Sequence, residues 1–248
     1  MKGAGLFLGV WLFTTPSLWA QTSGSCAKPA ASAQAKREDD LKMPEIIRAL
    51  RLVDGSKVAD IGAGDGDYEV ALSRAVGVDG HVFAEDIGPS SLKRLHERVK
   101  EANLSNVDVV EGVADDPKLP ADLDAVLMVI TYHEIADPEK MLGHIAAVLK
   151  PGGRLVVVDM SPHKTLTRPR ADQVKNHVIA PDIAESEIRR DGFEVVSRDD
   201  HFIDKPDEES TRWIIVFQKP LAKAGLRSRW PRFMPLPTPL LGSSDCVL

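Results

Sequence analysis

A carboxylate and three glycines occur at alternate positions early in the chain, as Asp60, Gly62, Gly64 and Gly66. Glycine has no side chain, so a strand can turn sharply there and a ligand can lie against the backbone. The carboxylate of Asp60 would attract a cationic amine and repel a phosphate. These residues therefore predict a binding site for a nucleoside that also carries a positive charge.

Dinucleotide-binding proteins share a glycine-rich turn of this kind, so the turn alone does not identify the ligand. Their pattern is G-x-G-x-x-G, whereas the third glycine here, Gly66, comes one residue earlier. Asp60 is also unsuited to a pyrophosphate because both are negatively charged. An NAD-dependent oxidoreductase is therefore only the second choice among enzyme classes.

A second acidic pair, Glu85 and Asp86, follows the next apolar run. In an open α/β sheet, ligands bind outside the carboxyl ends of the strands, so this pair should face the same crevice as the glycine turn. A carboxylate there can accept hydrogen bonds from both hydroxyls of a ribose. Neighbouring strand residues point to opposite faces, so only one acid should do this. We expect Asp86 in this role, with Glu85 as the second choice.

Strands and helices alternate between residues 41 and 219 and would position these groups. The apolar runs predict seven strands, at Val58–Ile61, His81–Ala84, Val107–Val110, Leu123–Thr131, Arg154–Val158, Phe193–Ser197 and Trp213–Phe217. Helical patterns cover Leu41–Leu52, Tyr68–Val76, Ser90–Ala102, a segment that begins at Asp137–Pro138, and about Pro181–Arg190. No helix separates the last two strands, so they should pair antiparallel. The order predicts an α/β fold, a doubly wound (Rossmann-like), mostly parallel seven-stranded sheet with one antiparallel strand near the edge.

Taken together, these motifs resemble the class I S-adenosylmethionine-dependent methyltransferase family. The resemblance rests on the glycine motif Asp60–Gly66, on Asp86, on the turn Leu149–Leu155 before the fifth strand, and on the terminal hairpin. It covers roughly residues 41 to 219. It implies S-adenosyl-L-methionine as cofactor and transfer of its methyl group to a small-molecule acceptor.

The resemblance also implies which residues bind the cofactor. They are Asp60, Gly62, Ala63, Gly64, Gly66, Asp86 and Asp115. Many family members have an acid directly after the glycine that ends the third strand, where it contacts the adenine amino group. This chain has Val113 there, so Asp115 or the backbone around Ala114 would have to replace that contact.

In the family, the residues after the fourth strand border the transferable methyl group. Here they are Tyr132, His133 and Glu134. The ring of Tyr132 could line the sulfonium, His133 could deprotonate an acceptor, and Glu134 could orient His133. Equally, His133 could close the cofactor pocket without transferring a proton. No second histidine follows at the metalloprotease spacing, so the sequence implies no metal.

Other polar residues are weaker candidates for the acceptor side. Asp159 is a candidate because it lies at the end of the predicted fifth strand. His163, His177 and His201 are each expected to be exposed or locally hydrogen-bonded instead.

The two ends of the chain differ from the central domain. Residues 1–20 have a lysine, an apolar run and a small residue at Ala20, which is typical of a signal peptide. We expect residues 21–40 to be a linker and the Pro/Arg-rich residues 220–248 to be a disordered tail. A cleaved signal would give an exported, periplasmic or secreted protein. An uncleaved one would attach its N-terminus to the membrane, and we expect no other stable membrane insertion.

Composition limits the remaining function classes. The formal net charge of −6 gives no reason to expect nucleic acid as a partner. The two cysteines, Cys26 and Cys246, lie near opposite ends and form neither a disulfide framework nor a metal site by spacing. Export would separate the protein from cytoplasmic S-adenosylmethionine, so an exported nucleoside-binding module without turnover is the alternative outside the enzyme class.

Overall fold

The structure is a computed structural model, which describes residue 34 and residues 36–162, 167–204 and 210–221. The chain divides into two compact units, residues 1–36 and 37–248. The predicted signal peptide, most of the predicted linker and nearly all of the predicted tail lie outside the described residues. Among the described residues, no helix is both long enough and apolar enough to span a bilayer.

Seven strands form one sheet in the order β3-β2-β1-β4-β5-β7-β6. Their bounds are Lys57–Ile61 (β1), His81–Asp86 (β2), Val107–Glu111 (β3), Leu123–Val129 (β4), Leu149–Pro162 (β5), Glu194–Ile203 (β6) and Ser210–Gln218 (β7). Strand β7 runs antiparallel to both of its neighbours, and every other pairing is parallel. The predicted fold class, including the reversed strand near one edge, is confirmed.

Six helices accompany the strands in the described residues of the second unit. They are Met43–Leu50 (α1), Glu69–Val76 (α2), Pro89–Glu101 (α3), Pro138–Val148 (α4), Arg170–Val174 (α5) and Pro181–Arg190 (α6), and a 3-10 turn spans Tyr132–Glu134. Helix α4 begins as predicted, with Pro138 in its first turn and the Asp137 carboxylate accepting a hydrogen bond from the amide of Lys140. The short helix α5 lies in a stretch for which the sequence predicts no element.

A further helical segment occurs where the sequence predicts a linker, at residues 36–40. Arg74 of α2 pairs with Glu38 at 3.1 Å, and Arg37 pairs with Asp67 just after the glycine turn. These ion pairs connect residues 37 and 38 to the domain. Apolar periodicity could not reveal them because the contacts are between charged side chains.

Apolar residues cover the sheet on both faces. Along β4, Val126 and Met128 belong to one buried cluster, whereas Ala125 and Leu127 belong to the other. Successive strand residues point to opposite faces, so the two clusters lie on opposite sides of the sheet. Burial on both faces explains why this strand is apolar almost throughout.

The strand order brings the predicted site residues to one edge of the sheet. Strand β1 pairs with β2 on one side and with β4 on the other, so the chain reverses its winding direction at β1. Ligands of open α/β sheets bind at such a switch point, outside the carboxyl ends of the strands. Asp60 and Asp86 lie in the last two residues of β1 and β2, His133 follows β4, and Asp159 lies in β5 just past its last residue paired with β4, all at this edge.

Candidate active site

The glycine turn has a backbone that other residues would adopt only with strain. Gly62, Gly64 and Gly66 have φ angles of +74°, +59° and +75°. A Cβ atom on Gly62 would lie 2.4 Å from the Thr131 hydroxyl, which is closer than real contacts allow. The turn therefore packs directly against the end of β4, and glycine is needed for both shape and space.

Both acids at the end of β2 hold this turn. The amide of Gly64 donates to Asp86 at 2.9 Å, and the amide of Gly62 donates to Glu85 at 3.3 Å. Glu85 is buried, and burial raises the pKa of its carboxyl to about 7, whereas Asp86 is partly exposed. Of the two, Asp86 is thus more accessible to a ligand, and its ribose contact stays a prediction.

Ala63 continues the same turn and is nearly buried. Its amide and that of Gly62 both donate to the backbone oxygen of Glu85, at 2.8 and 2.9 Å. These bonds fix the turn to β2 before any ligand binds. The contacts that the resemblance implies for Ala63 and the three glycines stay predictions.

Two carboxyl groups are buried together beneath the turn. Asp60 and Glu69, the first residue of α2, have at most 1% of their surface exposed. Burial, and then the neighbouring Glu69, raise the pKa of Asp60 well above its usual range, and burial raises the pKa of Glu69 to about 7. One Asp60 oxygen and both Glu69 oxygens have no hydrogen-bond partner among the described residues. Such a pair is suited to a cationic group that would compensate the buried charge.

Sequence reasoning missed Glu69. Glu69 falls on the same helical stripe as the buried Leu72 and Val76, at positions i+3 and i+7. An ionisable residue on an otherwise buried stripe was the available signal.

His133 and Asp159 form a buried pair between the ends of β4 and β5. Nδ1 of His133 lies 2.8 Å from Asp159, and the His133 amide donates to the other oxygen of that carboxylate at 2.9 Å. Burial lowers the pKa of His133, but the hydrogen bond and charge of Asp159 outweigh it, so the pKa is raised. With its Nδ1–H directed to Asp159, the ring has a free electron pair on Nε2.

The orienting role predicted for Glu134 therefore belongs to Asp159. Glu134 is exposed, and its carboxylate lies 3.7 Å from Nε2, on the opposite side of the His133 ring. Asp159 reaches His133 only through the pairing of β4 with β5, so sequence adjacency favoured Glu134 instead, and a role for Glu134 beside Nε2 stays a prediction.

Tyr132 has a different environment from the one predicted. Its side chain is fully buried in the apolar cluster beside α4, α6 and β7, and its hydroxyl donates to Glu187 of α6 at 2.9 Å. Arg170 of α5 binds the same carboxylate at 3.1 Å and donates to the Ile135 carbonyl at 3.0 Å. Tyr132 thus anchors the 3-10 turn instead of facing the crevice, because that turn directs it into the core.

The remaining histidines occupy different places. His177 is exposed, as expected, but its ring centre is 5.8 Å from that of His133. His201 is exposed and lies 3.4 Å from Asp204. His163 is outside the described residues.

After β3, the residues predicted to contact the adenine already have other partners within the protein. The exposed Asp115 forms an ion pair with Lys140, which lowers the pKa of that carboxyl. The Val113 amide donates to the Asp116 carbonyl at 2.9 Å. The adenine contact implied for Asp115 stays a prediction, and a ligand would have to share Asp115 with Lys140.

Comparison with known proteins places the chain among methyltransferases. The model of the ubiE/COQ5 methyltransferase family matches residues 38–185, more than half of the chain. This match confirms the predicted resemblance to class I S-adenosylmethionine-dependent methyltransferases and the cofactor that it implies.

Individual relatives match over shorter spans. The chain is 32% identical over 118 residues to a demethylmenaquinone methyltransferase of Listeria welshimeri, covering 47% of this chain and 50% of the relative. It is 35% identical over 109 residues to the ubiquinone/menaquinone biosynthesis C-methyltransferase of Vibrio vulnificus, covering 43% and 42%. The chain thus spans about half the length of the curated relatives it matches.

Solved structures support the same fold. An S-adenosylmethionine-dependent methyltransferase from Aquifex aeolicus superposes with a TM-score of 0.60 at 23% identity, over 71% of this chain and 88% of that chain. At this level of identity, the similarity concerns the fold alone.

The buried Glu69 carboxyl makes stability depend on pH. Its pKa is 4.5 when unfolded and about 7 when folded, so between these values the folded protein binds more protons. The free energy of unfolding of the ligand-free protein should therefore fall as pH rises from 4.5 to 7, with up to about 3 kcal/mol from this group. In Glu69→Gln, urea unfolding at several pH values should show a shallower fall. The exposed control Glu97→Gln should match the wild type, and an unchanged slope in Glu69→Gln would contradict this account.

The hydrogen bond from Tyr132 to Glu187 can be measured with a double-mutant cycle. Tyr132→Phe should lower the free energy of unfolding by about 1 kcal/mol because the partly buried Glu187 carboxylate loses one of its two donors and keeps Arg170. Combination with Glu187→Gln should give a coupling of more than about 0.5 kcal/mol, since the two residues are in contact. Additive effects would show that the contact does not anchor the turn.

Proposed function

Because the chain belongs to the ubiE/COQ5 methyltransferase family, we propose that it binds S-adenosylmethionine at the carboxyl ends of β1, β2 and β4 and transfers the methyl group to a small molecule. The observation that supports this most is the buried pair Asp60–Glu69 beneath the glycine turn. Two buried carboxyl groups with oxygens that have no hydrogen-bond partner among the described residues favour the amino group of a methionine moiety over a phosphate.

The rest of the cofactor has matching partners. Beyond Gly66, the N-terminal end of α2 carries the positive end of the helix dipole, which would favour the methionine carboxylate. Asp86, which is partly exposed and accepts from the amides of Gly64 and Gly88, would also accept hydrogen bonds from the ribose hydroxyls. An NAD-dependent oxidoreductase is not favoured. The family model that matches is one of methyltransferases, and the buried acids would repel the pyrophosphate of NAD.

For the acceptor, we propose a hydroxylated aromatic ring of the quinol type. Support comes from the relatives, one named for demethylmenaquinone and the other as a C-methyltransferase of ubiquinone and menaquinone biosynthesis. Ionisation of a ring hydroxyl makes the ring carbon next to it nucleophilic. That carbon then bonds to the methyl group as the C–S bond breaks, and it loses its proton to restore the aromatic ring. Much of the rate would come from holding carbon, methyl and sulfur in line.

His133 and Glu134 lie where the acceptor oxygen would have to be ionised. Nε2 of His133 is the ring nitrogen left free by Asp159, and the exposed Glu134 lies beside it. Their position after β4, where Thr131 adjoins Gly62 of the glycine turn, supports a role at the methyl end of the proposed cofactor site.

Cofactor binding is tested with S-adenosylhomocysteine and isothermal titration. Asp86→Asn should weaken binding about 10- to 100-fold, because a charge-assisted hydrogen bond is lost. Asp108→Asn removes an exposed carboxylate from β3 and is the matched control, expected to bind like the wild type. Because Asp86 also holds the turn, unfolding curves must show that the variant is folded. Failure of the folded wild type to bind would refute the proposed function.

The acceptor class is tested with labelled S-adenosylmethionine and two hydroquinones that differ at one ring carbon. In the first compound, the one ring carbon that carries hydrogen lies next to a hydroxyl. In the second compound, that same carbon carries a methyl group. Carbon methylation predicts label in the first compound only, whereas oxygen methylation would label both. Gly62→Ala, in which the Cβ would collide with Thr131, is the inactive control. No label in either compound, with S-adenosylhomocysteine still bound, would contradict the quinol-type acceptor.

A further inference from the structure

We infer that His133, Glu134 and His177 bind a divalent transition-metal ion at the acceptor end of the crevice. A carboxylate oxygen of Glu134 lies 3.7 Å from Nε2 of His133 and 3.9 Å from Nδ1 of His177. The three donor atoms all lie within 4.8 Å of one another. Two imidazole nitrogens and one carboxylate oxygen are a donor set that suits zinc, iron, cobalt or nickel better than magnesium or calcium.

The spacing of these atoms is close to that of an occupied site. Bonds of about 2.0–2.2 Å to a tetrahedral metal place neighbouring donor atoms about 3.3 Å apart. Shifts of about 1 Å would therefore be enough to bring the three donors together. Glu134 and His177 are 64% and 76% exposed and have room for this movement, whereas His133 is fixed.

Asp159 supplies an independent indication. Metal-binding histidines commonly donate their second ring N–H to a carboxylate, which fixes the tautomer and directs the other nitrogen at the metal. Asp159 does this here, since it lies 2.8 Å from Nδ1 of His133 and is itself held by the amides of His133 and Met160. The pair is buried, so Nε2 has one orientation, toward Glu134 and His177.

The segment that carries His177 is also fixed. The three residues after it are buried, and the Ile179 amide donates to the Met160 carbonyl at 2.7 Å, next to Asp159. His177 itself has a φ angle of +54°, a left-handed conformation that costs energy in a residue with a side chain. The fixed backbone thereby keeps the exposed ring near His133, with the two ring centres 5.8 Å apart.

Three protein ligands would leave one or more coordination positions open, as in catalytic sites. This step rests on the proposed function. The open position would take a hydroxyl oxygen of the acceptor, whose O–H bond breaks as the oxygen binds the metal and the proton passes to solvent. The metal would then occupy the Nε2 electron pair that the sequence assigned to proton transfer, so that His133 binds a Lewis acid instead of acting as the base.

The inference is tested by titrating protein freed of metal by a chelator with Zn²⁺, using calorimetry, and with Co²⁺, using visible absorption. The wild type should bind one ion per chain with a Kd in the micromolar range or below. Glu134→Gln and His177→Ala should each weaken binding at least tenfold. Both side chains are exposed, so neither change threatens the fold.

His201→Ala is the matched control, because His201 is as exposed as His177 and also lies near a carboxylate. It should bind the ion like the wild type. The inference is overturned if the wild type binds no stoichiometric ion, or if His201→Ala weakens binding as much as His177→Ala does.

Titration of the same samples with S-adenosylhomocysteine separates this inference from the proposed function. Loss of metal binding in His177→Ala with unchanged S-adenosylhomocysteine affinity supports a distinct metal site. Cofactor binding by a wild type that binds no metal overturns the inference and leaves the methyltransferase proposal intact. Metal binding by a wild type that does not bind S-adenosylhomocysteine would refute the proposed function and leave the metal site intact.

Discussion

Two acids buried together are the constraint on which the rest of the crevice depends. Asp60 and Glu69 are held beneath the glycine turn by β1 and α2, and their raised pKa values express the cost of charging them there. The protein alone can meet that cost only by keeping protons on them. Binding of a cationic group there, which we propose for the methionine amino group, would replace these protons.

Much of the fold could be predicted because its signals are local. The apolar run of β4, the proline and aspartate that begin α4, and the glycines of the turn each reflect the conformation of a few consecutive residues. The reversed strand followed from the absence of a helix between β6 and β7. The short helix α5 and the helical residues 36–40 escaped because contacts with distant residues, such as Arg170 with Glu187, stabilise them.

The site could be predicted only in part, since its pairs are distant in sequence. Asp60 and Asp86 were found because each ends a strand and the strands of such a sheet end together. The pairing of His133 with Asp159, and the approach of His177 to Glu134, span 26 and more than 40 residues and depend on how β4, β5 and α5 pack. The direction of Tyr132 depended on a 3-10 turn that periodicity does not reveal.

The network of Tyr132, Glu187 and Arg170 links the 3-10 turn after β4 to α5 and α6. The glycine turn and its acids come from β1, β2 and the start of α2, whereas the surroundings of His133 are completed by α5, α6 and the segment between them. One stretch of the chain, Arg168–Arg190, thus carries Arg170, His177 and Glu187, which reach the residues around His133. Replacement of this segment, with the contact between Glu187 and Tyr132 kept, could change the substrate of the protein without changing its methyl donor.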